Sequence, residues 1–259
     1  MTRDGEKQID SLLNILYPNH PYGTQSTIGL QEHLKNPSII NIKNHFNTWY
    51  RPNNVAICLA GDFDPDQTIA IIDKYFSTWK PNNDIHRLEI KTEPVYSHPV
   101  EKTVVGQEAE SVLLGWRFDG LASQQADTLT MIENILNNGT AGLFDLDLNL
   151  QQQVQQAAAG TYGMADYSSF IMQGMPKEGQ SLEQVRNLMI GELNKLKKGE
   201  FPNDLMSATI NNIKLKYFQS LLENGSRVDR MVDAFIGGKS WESVVDEINR
   251  YSKITKSDI

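Results

Sequence analysis

The sequence predicts an α+β fold: a partial first domain, then a second domain with a mainly antiparallel sheet and helices packed on one face. Apolar residues recur at helical spacing in several segments, and short apolar runs rich in β-branched residues lie between turn residues. In the second part of the chain the predicted order is strands, a helix, a strand and then several helices. This order favours α+β over an alternating parallel α/β fold.

The first part of the chain is predicted to hold an opening helix and then a helix, a buried strand and another helix. Two prolines and a glycine in Tyr17–Gly23 predict irregular structure after the opening helix. Pro37-Ser38 begins the next helix, Val55–Ala60 is the buried strand, and Asp64-Pro65 is a good start for the last helix. The residues expected to face inward on these two helices are Ile39, Ile42, Phe46, Trp49, Ile69, Ile72, Phe76 and Trp79.

A stretch rich in proline and asparagine predicts a linker, and the second domain follows it. Strands are expected at 100–107 and 111–118, and a β segment at 158–175. A helix at 123–138 ends at Gly139. Ser181 and Gln184 form a capping box for a further helix, and Pro202 begins a long helix that ends at Asn224-Gly225, before two short helices. The predicted boundaries are 1–82 for the first domain, 83–97 for the linker and 98–259 for the second domain.

The composition excludes several classes of function. The formal net charge of −8 opposes binding to nucleic acid phosphates or anionic lipid. The single cysteine, Cys58, excludes an internal disulfide, and we expect it to be an inert thiol in the buried strand. No apolar run is long enough to span a membrane, and no leader signature opens the chain. The compartment stays open between periplasm or cell envelope and cytoplasm. The opening resembles the middle or the exit of a helix, and the end stops where a new helix would be capped. We therefore expect a piece of a longer, bacterial-type soluble protein.

The histidines do not form a zinc motif. None of the five is followed by glutamate and a second histidine at helical spacing. The nearest match to the inverted motif H-x-x-E-H is Gly29-Leu-Gln-Glu32-His33, where Gly29 replaces the first ligand. One histidine and one glutamate cannot complete a site with three protein ligands. We therefore predict no metal ligand in this chain.

Other short motifs are also better explained by structure. Asp145–Asn149 resembles the start of a calcium loop but lacks its glycine and its final glutamate. Gly237–Ser240 resembles the end of a phosphate loop, yet a helix precedes it. Asn138 and Asn224 match glycosylation sequons, but Asn-Gly is expected at a helix end. No nucleophile lies in a distinctive turn, so we predict no catalytic, cofactor-binding or metal-binding residue.

One order of features resembles a known family. His20-Pro-Tyr-Gly23 is followed by Tyr50-Arg-Pro-Asn-Asn54, Gly61-Asp62 and Lys74-Tyr75-Phe76. This order is similar to the latter part of the first domain of insulinase/pitrilysin-family zinc metallopeptidases. The remainder resembles the family's second domain. The segments that carry this second similarity are Leu136–Gly139, Gly142–Phe144, Tyr162, Tyr167 and Ile254–Asp258.

The resemblance implies a zinc peptidase whose metal site lies outside this chain. In that family zinc is bound by the inverted motif and a downstream glutamate, and the glutamate of the motif activates the attacking water. These residues precede the His-Pro-Tyr-Gly loop, so the resemblance implies no zinc ligand in this chain, and Glu6 lies after the segment that would hold one. The intact protein would hold zinc and cleave peptides. This piece alone would be inactive, without zinc, and would form scaffold and a wall of the peptide chamber.

Two alternatives remain open. The chain could belong to a catalytically inactive family member, or inactive half, with a structural role. It could also be a stand-alone α+β binding module that begins at Met1. Under the peptidase hypothesis, its partners are a peptide or unfolded polypeptide and the remaining domains of the intact protein. A truncated first domain would also leave an apolar face open for self-association.

Overall fold

The fold is α+β, as the sequence predicts. The computed structural model describes residues 4–87, 89 and 91–259. The helices, in chain order, are α1 Asp4–Leu16, α2 Pro21–Thr24, α3 Gln31–Lys35, α4 Ile39–Trp49, α5 Pro65–Phe76, α6 Gln125–Leu136, α7 Leu182–Lys197, α8 Asn203–Ser220, α9 Asn224–Ile236, α10 Trp241–Val245 and α11 Glu247–Tyr251. The strands are β1 Val112–Asp119, β2 Gln156–Gly163 and β3 Tyr167–Met175. A 3₁₀ turn at Pro52–Asn54 and a π-helix at Phe144–Leu150 complete the set.

The sheet has three strands in the order β1-β3-β2, and both pairings are antiparallel. Trp116 lies opposite Phe170 in the register, and Leu114 lies opposite Met172. These residues are on the sheet face that packs against the core under α6 and α7. Gly174 is on the same face, where an added Cβ would collide with the side chain of Val185 in α7. The missing side chain thus lets α7 approach the sheet closely.

The opposite face of the sheet is covered by α1. Side chains alternate between faces along a strand, so Gly115 points away from the core side that holds Trp116. An added Cβ at Gly115 would lie 2.8 Å from the side chain of Leu12 in α1. The sheet is therefore enclosed by helices on both faces, because the opening helix packs onto strands that lie about a hundred residues further along the chain.

Local capping signals are confirmed at several helices. The Ser38 hydroxyl accepts a hydrogen bond from the backbone N–H of Asn41 at the start of α4, and Asp64 accepts one from Gln67 at the start of α5. The predicted capping box of Ser181 and Gln184 is present at the start of α7. Such caps satisfy N–H groups that have no partner within the helix, so a short sequence signal is enough to fix the helix start.

The strand predicted at Val55–Ala60 is wrong within the described residues. The segment has no strand pairing. Val55, Ile57 and Leu59 are each exposed by 40% or more. A strand needs a neighbouring strand to receive its hydrogen bonds, and the described part of the chain supplies none. Cys58 is accordingly half-buried instead of lying in a core.

Several other predicted elements differ from the structure. No described residue of 100–107 is in a strand, and the predicted β segment is two strands joined by a hairpin. The loop Tyr17–Gly23 contains the short helix α2, because Pro21 suits a first helical position and His20 caps it. Asn224-Gly225 begins α9 instead of ending α8. Asp145–Asn149 lies in the π-helix. The predicted domain boundaries stay predictions.

The core lies almost wholly in the second part of the chain. Its fully buried members come from α6, the π-helix, β3 and α7, and they include Met131, Ile135, Phe144, Met172 and Met189. In contrast, α3, α4 and α5 contain no buried residue. Among the described residues, no helix combines the length and apolar character needed to cross a membrane.

Candidate functional site

The most elaborate cluster of polar groups lies where the α1–α2 connection meets the hairpin between β2 and β3. We call it the His20 corner. The hydroxyl of Tyr17 and that of Ser169 lie 2.7 Å apart and share a hydrogen bond, and neither residue has exposed surface. The six residues of the corner are Tyr17, His20, Tyr22, Asp166, Tyr167 and Ser169.

His20 is 1% exposed and is held on both sides. Its Nδ1 accepts a hydrogen bond of 3.1 Å from the backbone N–H of Tyr22, so the proton of the neutral ring lies on Nε2. Nε2 is 3.3 Å from Oδ2 of Asp166, without the alignment of a hydrogen bond. The ring is surrounded by Tyr17, Tyr22 and Tyr167, with centroid separations of 6.3, 3.9 and 5.5 Å.

The phenols of Tyr17 and Tyr22 are neutral hydrogen-bonding groups. Burial raises the pKa of Tyr17 above its usual value, and burial also raises that of Tyr22. The hydroxyl of Tyr22 donates to Asp166 Oδ2 at 3.3 Å and accepts from the Asp166 N–H at 3.2 Å. The guanidinium of Arg117 lies 5.7 Å from the ring centre of Tyr167, a cation–π contact. The cluster is therefore suited to joining two segments of chain, and its ring nitrogens are enclosed.

The residues present do not fit a zinc site. Within 4–87, 89 and 91–259, no group of three or more His, Cys, Asp or Glu side chains is placed to hold a metal ion. His33 and Glu32 lie on the exposed helix α3, and Nδ1 of His33 accepts a hydrogen bond from the N–H of Leu30. Nδ1 of His20 is occupied by Tyr22.

The other motifs have structural roles. Ser240 accepts from the N–H of Ser243 to cap α10, and Gly238 has a φ of +67° after α9, so Gly237–Ser240 is a helix-to-helix turn. Gly139 has a φ of +83° just after α6. In the π-helix, Asp147 forms an ion pair of 2.8 Å with Lys195 of α7.

A groove between α6, α8, α9 and α11 has a volume of about 320 Å³. Among its charged groups, Arg230 pairs with Glu247, and Glu133 accepts a hydrogen bond from the backbone N–H of Thr161. Arg230 lies 3.2 Å from Glu247, and the hydroxyl of Tyr251 donates to Glu247 at 2.9 Å. Burial raises the pKa of Tyr251 well above its usual range, so it is a stable donor. The bonds of Arg230 and Tyr251 to Glu247 hold α9 and α11 together.

Glu192 is a buried carboxyl on α7 with one oxygen, Oε2, that has no hydrogen-bond partner. Its other oxygen accepts from Lys195 at 2.8 Å. Burial raises the pKa of Glu192 above its usual value, although Lys195 opposes this effect. The pKa is raised in the folded state, so the protonated carboxyl of Glu192 stabilises the fold below pH 4.5, the ordinary pKa of glutamate. This stabilisation is lost as the pH rises through the raised pKa.

We expect Glu192→Gln to be more stable relative to the wild type as pH rises from about 4.5 towards neutrality. The amide removes the cost of burying an ionised carboxylate. Thermal unfolding across this pH range measures the difference in melting temperature. Glu183→Gln is the matched control, because Glu183 is an exposed carboxyl on the same helix, and its difference should stay small. A constant difference for Glu192→Gln would contradict the prediction.

Comparison with known proteins places this fold in a class and then in a family. The arrangement is that of protease domains in solved structures. A protease from Helicobacter pylori has a TM-score of 0.79 at 20% identity, with 98% of this chain and 62% of that chain covered. A peptidase M16 inactive domain from Pseudomonas fluorescens also has a TM-score of 0.79, at 15% identity, with 98% of this chain and 60% of that chain covered.

The family described as "Peptidase M16 inactive domain" matches residues 40–213, more than half of the chain. The chain therefore belongs to the M16 peptidase family, which agrees with the insulinase/pitrilysin resemblance. A curated relative, presequence protease 1 (chloroplastic/mitochondrial) of Arabidopsis thaliana, is 24% identical over 226 residues. That match covers 82% of this chain and 20% of the relative. The chain thus spans a fifth of this relative and about three fifths of the two solved structures.

Sequence reasoning missed the His20 corner as a unit. In the sequence, His20-Pro-Tyr-Gly23 is distinctive only as part of the family resemblance. Its contacts come from Asp166, Tyr167 and Ser169, which are more than 140 residues away along the chain. One signal is present in the sequence: His20 lies between two prolines and two tyrosines, and such a segment is more typical of a buried turn than of a surface loop.

Proposed function

We propose that this chain is a non-catalytic part of an M16 zinc metallopeptidase. It completes a first α+β domain and supplies a second domain that walls a chamber for peptides or unfolded polypeptides. The observation that supports this most is the match of residues 40–213 to the inactive peptidase domain. In support, the described residues have no group of side chains placed to hold a metal, whereas the protein core is well formed.

Peptide cleavage by the intact protein and by this chain tests the proposal. The intact protein should cleave unstructured peptides, lose this activity with a chelator and regain it with zinc. The chain 1–259 should show no cleavage above buffer, and it should retain well under one equivalent of zinc after dialysis. Cleavage or tightly held stoichiometric zinc in the chain alone would overturn the proposal.

The second candidate function is a structural role in an inactive M16 protein. The match to an inactive domain is equally compatible with it, because that match concerns these residues and not the rest of the protein. The same experiment separates the two functions, because an intact protein of this kind would neither bind zinc at a peptidase site nor cleave peptides. The stand-alone binding module is the third candidate. It would be supported by an intact protein that comprises these residues alone.

The exposed apolar side chains of α4 and α5 favour a partner on this part of the chain. Ile42 and Phe46 are each 53% exposed, and Ile69 is 55% exposed. Apolar patches of this kind are rare on proteins that act alone. We propose that the remaining part of the first domain covers this face in the intact protein, and that copies of the isolated chain associate through it.

We expect the isolated chain to self-associate as its concentration rises, and Phe46→Glu to weaken this association because a buried charge is costly. Sedimentation velocity measures both. Phe118→Glu is not a suitable control, since Phe118 packs against the core. Tyr162→Glu is suitable, because Tyr162 is 55% exposed on the edge strand β2. Equal association of the unchanged chain, Phe46→Glu and Tyr162→Glu would contradict the prediction.

A further inference from the structure

The segment Asp4–Thr24 packs against the sheet in the second part of the chain. In the sequence it precedes the whole α3–α5 region. Leu16, Tyr17 and His20 are buried there, with 7%, 0% and 1% of their surface exposed. Their contacts lie on the sheet face opposite α6 and α7. Tyr17 bonds Ser169 of β3, and the ring of Tyr167 lies 5.5 Å from that of Tyr17.

Hydrogen bonds fasten this segment along its whole length. At its start, the carboxylate of Asp4 accepts from the backbone N–H of Glu108 at 2.8 Å. At its end, the backbone N–H of Asn19 donates to both oxygens of Glu93, which is buried, at 3.1 and 3.2 Å. Further bonds along the segment join Gln8 to Ser111, Tyr96 to Ile15, Arg117 to Leu16 and Tyr22 to Asp166.

Residues 25–92 contrast with this segment. No described residue in that range is buried. Its own hydrogen bonds include a reciprocal pair between Asn53 and Asn82, which ties the two ends of the α4–α5 region together. The connection from Gln25 to Leu30 has no helix and contains Gly29 with a φ of +75°, a conformation that favours glycine. The connection after α5 has no helix or strand among its described residues up to β1.

We infer that residues 4–24 are a structural part of the second domain, and that the pivot between the two units lies in the paired connections 25–30 and 80–87. The α3–α5 unit then moves as an inserted flap, while α1, α2 and the sheet move together. The His20 corner holds residues 4–24 to the second domain, because its buried polar groups, such as the hydroxyls of Tyr17 and Ser169, would lose their partners if the two separated. This inference does not depend on whether the intact protein cleaves peptides.

Hydrogen exchange of the intact chain 1–259, read by mass spectrometry, tests the inference. His20→Ala should speed exchange in 4–24 and in the hairpin 164–169 together, by about tenfold or more, and leave α4 and α5 unchanged. The matched control is His33→Ala, an exposed histidine on α3, which should change neither region. If the effect of His20→Ala reaches α4 and α5 as strongly as α1, or leaves α1 unchanged, the inference is overturned.

A reciprocal pair of variants keeps the test decisive if His20→Ala does not fold. Tyr17→Phe removes only the hydroxyl that bonds Ser169, and it should loosen α1 and the hairpin together. Its control is Tyr50→Phe, since Tyr50 is 52% exposed. From the other side, Asp64→Ala removes the cap of α5 and should speed exchange in α5 alone. A coupled response of α1 to Asp64→Ala would place α1 with the flap and refute the inference.

Discussion

Replacing Phe144 by alanine is expected to lower the free energy of unfolding by about 3–5 kcal/mol. Phe144 begins the π-helix and has no exposed surface. It belongs to the cluster that joins α6, α7 and β3. Removing a buried aromatic ring loses the favourable free energy of transferring the ring out of water, and it leaves a cavity that the neighbours fill only in part. Urea unfolding followed by circular dichroism measures the shift in midpoint at an unchanged slope.

The control for this prediction comes from the same π-helix. Leu146 is 40% exposed, and Leu146→Ala should cost much less than Phe144→Ala because less apolar surface leaves the protein interior. If the two substitutions have equal effects, the π-helix does not pack into the core as described. A change in the slope of the urea transition would instead indicate an altered denatured state.

The parts of the fold that could be predicted from the sequence are those fixed by local chemistry. Ser38, Asp64 and Ser181 cap their helices because the hydroxyl or carboxylate and its N–H partner are three residues apart. The hairpin of β2 and β3 is also local, although the sequence alone did not show where one strand ended. These signals require no knowledge of distant residues.

The predictions that were wrong concern distant partners. Val55–Ala60 has the composition of a buried strand, but a strand forms only when another segment accepts its backbone bonds. Most of the side chains predicted to face inward on α4 and α5 are exposed for the same reason: the described chain provides no layer against them. The apolar period of a helix states which face will be buried, and it does not state what will bury it.

The sequence predicts no site residue, and the reason differs from that for the wrong strand and helix faces. Metal and nucleophile motifs are short and can be searched in a sequence, and none was complete here. The His20 corner depends on residues from α1, α2 and β3 that only the fold brings together. Its chemistry is also that of a fastening between segments, since both ring nitrogens of His20 face groups of the protein itself. Contacts that join distant segments in this way cannot be predicted from the spacing of residues in the sequence.

Asp145→Ala is expected to lower the free energy of unfolding by about 2–3 kcal/mol and to loosen the loop between α6 and the π-helix. Oδ2 of Asp145 accepts from the backbone N–H groups of Asn138, Gly139 and Gly142 at 2.9, 2.9 and 3.1 Å. Oδ1 accepts from the side chain of Asn137 at 2.6 Å. Hydrogen bonds to an ionised carboxylate are stronger than neutral ones, and alanine leaves all four donors without this acceptor.

Two measurements check this expectation, and Asp147→Ala is the matched control. Urea unfolding gives the loss of stability, and hydrogen exchange reports the amides at 138, 139 and 142, which should exchange faster in Asp145→Ala alone. Asp147 is a half-exposed carboxylate in the same π-helix, and its pair with Lys195 is a surface ion pair that contributes about 0–1 kcal/mol. Similar losses for the two variants would mean that charge in the π-helix, and not the bonds to the loop, sets the effect. Unchanged exchange of the loop amides would contradict the role given to Asp145.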